Sequence, residues 1–478
     1  MRFFRGMDTK YKHLVKNTLV LGIGNFSSKI LVFLLVPLYT SVLSTTEYGI
    51  YDLTVSTASL LYPVLTISIV DAVMRFTMDD AYDKKAVARV GIVFVSISFI
   101  LAFLIILLLS KLPFATSVHG LEVYCLLYYI SYTLNQYFIQ LAKGMDRAFD
   151  MALAGIISTV IMLSGNICFL LIFKMGLKGF YIANISSLLV PSCFLFFKLK
   201  FIEYSRGALW DRRLIRTMIT YSAPLIFSTI GWWVNNASDR YVVTLMCGLA
   251  ANGVLSVSYK IPSIINTVFS MFGQAWQISA IKEYDKKNTN SFYADSFSFI
   301  NLGICIGCSL LIVLSRPLGR VLYSNNFYEA WKYAPFLLVS SVFNCASGFI
   351  GPILSAAKNS KAMATSAIIG AVTNIILNFL LVYMIGVQGA AIATAISAFI
   401  IYLVRYKSTS GDFYIKDYYK VIISWIIITI EAFCEIREDY YAFEIILILV
   451  FFGINYKNIS KILRMMKVIL TTKRKRNG

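Results

Sequence analysis

Apolar runs of about twenty residues recur from one end of the sequence to the other, and nothing constrains the fold more than their length. A run of that size crosses the ~30 Å hydrocarbon core of a bilayer as a helix, pairing its backbone N–H and C=O groups internally. Reading the runs against charged breaks predicts about fourteen spans, at 17–40, 51–74, 87–110, 121–142, 151–173, 178–197, 215–238, 251–277, 292–315, 333–356, 363–384, 388–404, 419–435 and 440–456. Mean hydropathy is +0.72. Charged residues make up only 14% of 478, too few to coat a soluble particle of that size. The short alternating segments of a β-barrel are absent. The chain reads as an all-α polytopic membrane protein.

Charge placement tests that span order independently. With the N-terminus inside, the cytoplasmic segments hold 34 of the 44 Lys and Arg, while eight fall outside and Lys29 and Lys260 lie within spans. Both termini are therefore expected in the cytoplasm. The net charge of +20 then has a membrane explanation and calls for no nucleic-acid partner. The tail "TTKRKRNG" reads as an anchor on anionic lipid. The basic start "MRFFRGMDTKYKHLVK" precedes an apolar run too long for a cleaved signal, so that run is expected to be retained. Cys305 and Cys308 form a C-x-x-C inside "NLGICIGCSLLIVL" and read as two small apolar residues on one helix face. No metal site or cofactor is expected.

Two halves appear when the chain is compared with itself. "MGLKGFYIANISSLLV" (175–190) matches "IGVQGAAIATAISAFI" (385–400) through G-[LV]-x-G-x-x-I-A. "VLSTTEYGIY" (42–51) falls opposite "MCGLAANGVL" (246–255), sharing little beyond Gly49 and Gly253. Six spans per half, an even number, give both halves the same orientation in the bilayer. The expected organisation is two parallel six-helix bundles, 1–200 and 214–407, followed by two further helices and a basic tail over 416–478. Parallel halves of this kind can rock about a shared midplane site.

Polar residues inside the spans mark where such a site would lie. Lys29 sits about 15–18 Å from either surface, where an ammonium costs about 2.5–3.5 kcal/mol on insertion scales. Gly22, Asn25 and Lys29 share a helix face. Asn252, Ser256, Lys260, Ser263 and Thr267 repeat the pattern in the eighth span, and the seventh carries Ser228, Trp232, Asn235 and Asp239 beside Arg240. Cations exceed carboxylates among these residues, so a net-positive cavity suited to an anionic passenger is expected. Its candidate lining is Lys29, Lys260, Arg240, Asn25, Asn235, Asn252 and Ser256. Asp71 and Arg75, four residues apart in the second span, are expected to pair, as a gate or coupling element. Asp71, Asp239 and Glu431 are candidate coupling carboxylates, with a proton or sodium ion as the coupling species.

Enzymatic signals are poor. The two histidines, His13 and His119, are far apart, and no G-x-x-x-x-G-K-[ST] occurs. No outer segment is long enough to hold the active site of a glycan polymerase or ligase. The expectation is a transporter and not an enzyme.

The stretch "KNTLVLGIGNFSSKILVFLLVPLYTSVLSTTEYGIYDL" (16–53), followed by "ISIVDAVMRF" (67–76), resembles the N-terminal signature of polysaccharide-transport flippases of the Wzx type. These belong to the multidrug/oligosaccharidyl-lipid/polysaccharide (MOP) exporter superfamily. The resemblance implies a bacterial cytoplasmic-membrane flippase that moves an undecaprenyl-pyrophosphate-linked oligosaccharide, such as an O-antigen or capsule repeat unit, to the outer leaflet. It also implies a V-shaped cavity between the bundles, with Lys29 and Lys260 on helices that contact pyrophosphate. An alternative in the same superfamily is a drug/cation antiporter of the MATE type. That reading wants a carboxylate in the first span, and none lies between Asn17 and Leu43.

Overall fold

The computed structural model describes residues 33–109, 119–207, 210–284, 289–409, 413–437 and 443–456, together with Leu31 and Ser460. Asn25, Lys29, most of the first expected span and the basic tail lie outside the described residues. All regular structure among the described residues is helical. The contacts divide the chain into two compact units, Met1–Ser256 with Leu322–Phe327, and Val257–Val321 with Tyr328–Gly478.

The first unit contains α1 (Val36–Val42), α2 (Thr45–Leu65), α3 (Ile69–Thr77), α4 (Lys84–Leu109), α5 (Glu122–Gly144) and α6 (Ala148–Asn166). A π-helical turn, Ile167–Ile172, extends α6, and α7 (Gly176–Lys198), the short α8 (Phe201–Ser205), α9 (Arg212–Cys247) and most of α10 (Leu249–Ser258) follow. The second unit contains α11 (Lys260–Glu283), α12 (Thr289–Val313), α13 (Ser315–Leu322, but for its last residue), α14 (Ala334–Ala356), α15 (Ser360–Ile385), α16 (Val387–Lys407), α17 (Tyr418–Ile436) and α18 (Phe443–Tyr456). Helices α9 and α10 group with the first unit because their inward residues pack onto α2.

A helix occupies every expected span from 51–74 to 440–456. By length and hydropathy, seven of the described helices are suited to cross a membrane, and the bent pair α2–α3 makes an eighth. Helices α5, α9 and α11 also fall on expected spans but are less apolar, and they bury polar side chains such as Asn135, Asp239 and Thr267; α17 falls on another and carries Lys420, Glu431 and Glu435. Large apolar side chains lie on the outside as well as in the core. On α4, Ile97, Ile100, Phe103, Leu104, Leu107 and Leu108 all point outward, as lipid-facing residues do where lipid is the solvent.

Two spans are broken for identifiable reasons. Pro63 ends the regular part of α2, and Ile67 and Ser68 take left-handed φ values of 55° and 48°. A β-branched residue there is strained. The Ser68 N–H closes the turn on the Pro63 carbonyl at 2.7 Å, and α3 leaves at 63° to α2. In the expected span 251–277, helix α10 stops and α11 begins on either side of Tyr259. Pro262 accounts for the break, because a prolyl ring collides with the carbonyl four residues earlier.

Each unit has its own core. In the first, Val70, Val73 and Phe76 of α3 meet Val87 and Val90 of α4, Phe138 and Leu141 of α5, Leu195 of α7 and Met218 of α9. Tyr137 is fully buried there because its hydroxyl donates to the Ala88 carbonyl at 2.7 Å. In the second, α14 is central and almost wholly buried. Trp276 stacks on Phe349 at 4.0 Å and donates its indole N–H to the Phe349 carbonyl at 2.8 Å. Trp425 donates to Asn301 at 3.1 Å and Asn455 to Ser424 at 3.1 Å, tying α17 to α12 and α18 to α17.

Candidate functional site

An inter-helical polar network of the first unit lies where α2, α9 and α10 meet. Helix α2 starts at a capping box, in which the Ser44 hydroxyl accepts from the Glu47 N–H at 3.2 Å and Glu47 reaches back to the Ser44 N–H at 2.8 Å. That start sets the phase of the helix. Gly49, Asp52 and Ser56, spaced three and four apart, then share one face. Helix α9 runs to Cys247 and stops at Gly248, whose φ of 91° suits a residue without a Cβ. Helix α10 begins at the next residue, which returns Asn252, Gly253 and Ser256 to α2.

Backbone contact draws α2 and α10 together. A Cβ on Gly49 would collide with the Leu249 carbonyl, and one on Gly253 would collide with the Thr45 carbonyl. The two contacts are reciprocal: residue 45 relates to 249, and 49 to 253, by the same 204 positions that separate Asp52 from Ser256. Reciprocity of this kind is what a two-fold relation between repeats produces. The Asn252 amide donates to the Gly49 carbonyl at 3.2 Å, closing the crossing.

One turn further along, Arg240 of α9 enters. Its Nε lies 3.3 Å from Asp52 Oδ2, and its Nη1 donates to Ser56 Oγ at 2.7 Å. The Ser256 hydroxyl donates to the same Asp52 oxygen at 2.6 Å. Trp233 donates its indole N–H to the Ser56 carbonyl at 3.0 Å, and Tyr241 and Thr57 share a 2.7 Å hydrogen bond. The Asp52 and Arg240 side chains are 12% and 20% exposed, so the pair is largely dehydrated while one edge stays reachable. Dehydration raises both the attraction and the cost of the two charges, and the serine hydroxyls supply the hydrogen bonds such a pair needs. Asp52 lies about 10 Å along α2 from its start, and Arg240 about 10 Å from the end of α9. The two charges are thus level with each other.

The expected lining residues fare differently. Arg240, Asn252 and Ser256 come together, and Asp52 holds the centre. Asn235 turns back along its own helix, donating to the Gly231 carbonyl at 2.9 Å. Lys260 belongs to the second unit, where it opens α11 and its carbonyl accepts from Ser263 at 2.6 Å. Asp71 and Arg75 do not form the expected pair. Asp71 accepts from Gln140 of α5 at 3.1 Å, and Arg75 faces Asp79 at 3.5 Å across the surface. Asp52, Ser56, Trp233 and Tyr241 are additions that the sequence reading missed. The available signal was Asp52 standing opposite Ser256 in the repeat, three residues after the glycine shared by the halves.

The model of the family described as Polysaccharide biosynthesis protein matches residues 14–278, which include Asp52, Arg240 and Ser256. The model described as MatE matches residues 224–380. Among curated proteins, the chain is 22% identical over 186 residues to the probable low-salt glycan biosynthesis flippase Agl15 of Haloferax volcanii. That alignment covers 38% of this chain, and the chain spans 39% of that relative's length. Among solved structures, the fold is similar to the lipid II flippase MurJ in an inward closed conformation, with a TM-score of 0.65 and 18% identity over 93% of this chain and 100% of that one. It is similar also to an inward-facing multidrug resistance MATE family transporter of the MOP superfamily, with a TM-score of 0.66 and 14% identity over 80% of this chain and 95% of that one. With its model matched over more than half the length, the chain belongs to the polysaccharide biosynthesis protein family.

Proposed function

We propose that the protein is a flippase that moves a lipid-linked oligosaccharide, carried on undecaprenyl pyrophosphate, from the cytoplasmic to the outer leaflet by alternating access. The observation that carries this reading is the family match across residues 14–278, the part of the chain that contains the α2–α9–α10 network. The similarity to a glycan biosynthesis flippase supports the same substrate class. The chemistry agrees with an anionic head group. Lys260 lies within an expected span, Arg240 lies two residues past the end of another, and Lys29 is expected to be a further cation in the membrane; cations in such dehydrated surroundings suit a pyrophosphate. In this reading the protein lies in the bacterial cytoplasmic membrane with both termini inside. Asn25 and Asn252 would offer hydrogen bonds to the first sugars, and a proton or sodium gradient would drive the cycle.

A second reading, a drug/cation antiporter, is favoured by the MatE match over residues 224–380. Replacing Lys29 and Lys260 together with Ala separates the two. The flippase reading expects loss of outer-leaflet glycan and accumulation of its lipid-linked precursor inside. Unchanged glycan display, with new sensitivity to cationic drugs, would establish the antiporter instead.

A further inference from the structure

The second unit holds a cluster of three acidic side chains, of which only Glu431 figures among the candidate coupling carboxylates. Glu431 and Glu435 lie one helical turn apart on α17, and Glu444 stands near the start of α18. All three are buried, at 0%, 4% and 1% exposure. Ser309 of α12 donates to Glu431 Oε1 at 3.1 Å, and Ser315 at the start of α13 donates to Glu435 Oε1 at 3.1 Å. Glu444 interacts with both other carboxylates. Both Glu444 oxygens and Glu431 Oε2 are buried and accept no hydrogen bond from a described residue.

The surroundings do not balance three negative charges. Helix α13 contributes Arg316, which lies close to Glu435 and sits over the Trp331 ring at 5.6 Å. Helix α12 contributes the thiols of Cys305 and Cys308, α14 that of Cys345 beside Cys305, and α17 that of Cys434. Among the described residues, one guanidinium thus faces three buried carboxylates. Like charges that close cannot all be carried in a low-dielectric interior. Two remedies exist, a bound metal cation or a proton on at least one carboxyl. No group of three or more His, Cys, Asp or Glu among the described residues is arranged to hold a metal.

We propose that Glu431, Glu435 and Glu444 form a proton-binding site inside the α17–α18 pair, with at least one of them a neutral carboxylic acid near neutral pH. The proton is shared between the facing carboxyls of Glu435 and Glu444: one keeps its O–H and donates, and the other accepts as the carboxylate. Releasing it leaves adjacent buried charges, which loosens the seating of α18. The site is a proton store at the end of the chain, separate from the Asp52–Arg240 network and independent of what the protein transports.

The test uses the full-length protein in lipid nanodiscs. Infrared difference spectra recorded across a pH titration report the carboxylic-acid C=O stretch directly. The expected result is a protonated-carboxyl band at neutral pH that disappears in the Glu435→Gln/Glu444→Gln variant and persists in Asp295→Asn, an exposed control that pairs with Lys416. Thermal unfolding is the second readout. A buried acid kept neutral stabilises the fold at low pH, and that contribution is lost as the pH rises. The wild type should therefore melt lower in alkaline buffer, whereas Glu444→Gln should hold its Tm and exceed the wild type there by about 2 °C or more. A neutral-pH spectrum with no band removed by these substitutions would overturn the proposal. Sodium-dependent stabilisation at fixed pH that needs Glu444 would also overturn it, in favour of a cation site.

Discussion

The two units handle buried charge in opposite ways. At the α2–α9–α10 junction, Asp52 faces a guanidinium and a serine hydroxyl, so its charge is matched and held. At the α17–α18 junction, among the described residues, three carboxylates face one guanidinium, and oxygens of two of the carboxylates accept no hydrogen bond. A matched acid is part of the packing and is worth keeping ionised. An unmatched acid is tolerated only by giving up its charge. Neutralising the acid should therefore have opposite signs in the two places, and that contrast is open to direct attack.

The largest effect should come from Arg240→Ala, which leaves Asp52 buried without its cation. Loss of one partner of such a pair typically costs about 3–5 kcal/mol, to be read as a fall in Tm and yield of the purified protein. A double variant, Asp52→Asn with Arg240→Met, should recover most of that loss, because no orphan charge remains. Next in size is Gly253→Ala. The new methyl meets a backbone carbonyl that has no rotamer to yield, so about 1–3 kcal/mol is expected from overpacking, and Gly49→Ala should match it if the crossing is two-fold. Ser256→Ala removes a hydrogen bond to a carboxylate and should cost about 1.5–3 kcal/mol at most, with Tyr241→Phe nearer 1 kcal/mol. The smallest change is the one of opposite sign, in which Glu444→Gln raises Tm in alkaline buffer. If Asp52→Asn and Glu444→Gln moved Tm in the same direction, the contrast between the two junctions would fail.

What the sequence showed and what it hid follow from the range of the forces. Lipid imposes a length on every crossing element, so limits such as 333–356 and 363–384 were visible as apolar runs and lie close to α14 and α15. The Tyr259 break was written in Pro262, yet the apolar run around it read as one span. Neighbour rules placed Asp71 beside Arg75, but spacing fixes only opportunity. Gln140, 69 residues away, takes Asp71. Asp52 was missed for the same reason: its environment is built by α9, and Arg240 reaches the α2 face across 184 positions of sequence to bond Ser56. The polar stripe Asn252–Ser256–Lys260 read as one surface. The structure divides it, with Asn252 and Ser256 turned to α2 and Lys260 in the other unit.

The glycine crossing also limits how α2 and α10 can move. Each backbone carbonyl sits in the notch left by the opposite missing side chain, so the notches act as a detent. Sliding along either axis would carry the neighbours three or four positions away on the same face, Thr45 or Asp52 on one side and Leu249 or Ser256 on the other, towards a slot without room for a side chain. Sliding is therefore blocked in both directions, and the helices can leave one another only by lifting apart, with both notches emptying at once.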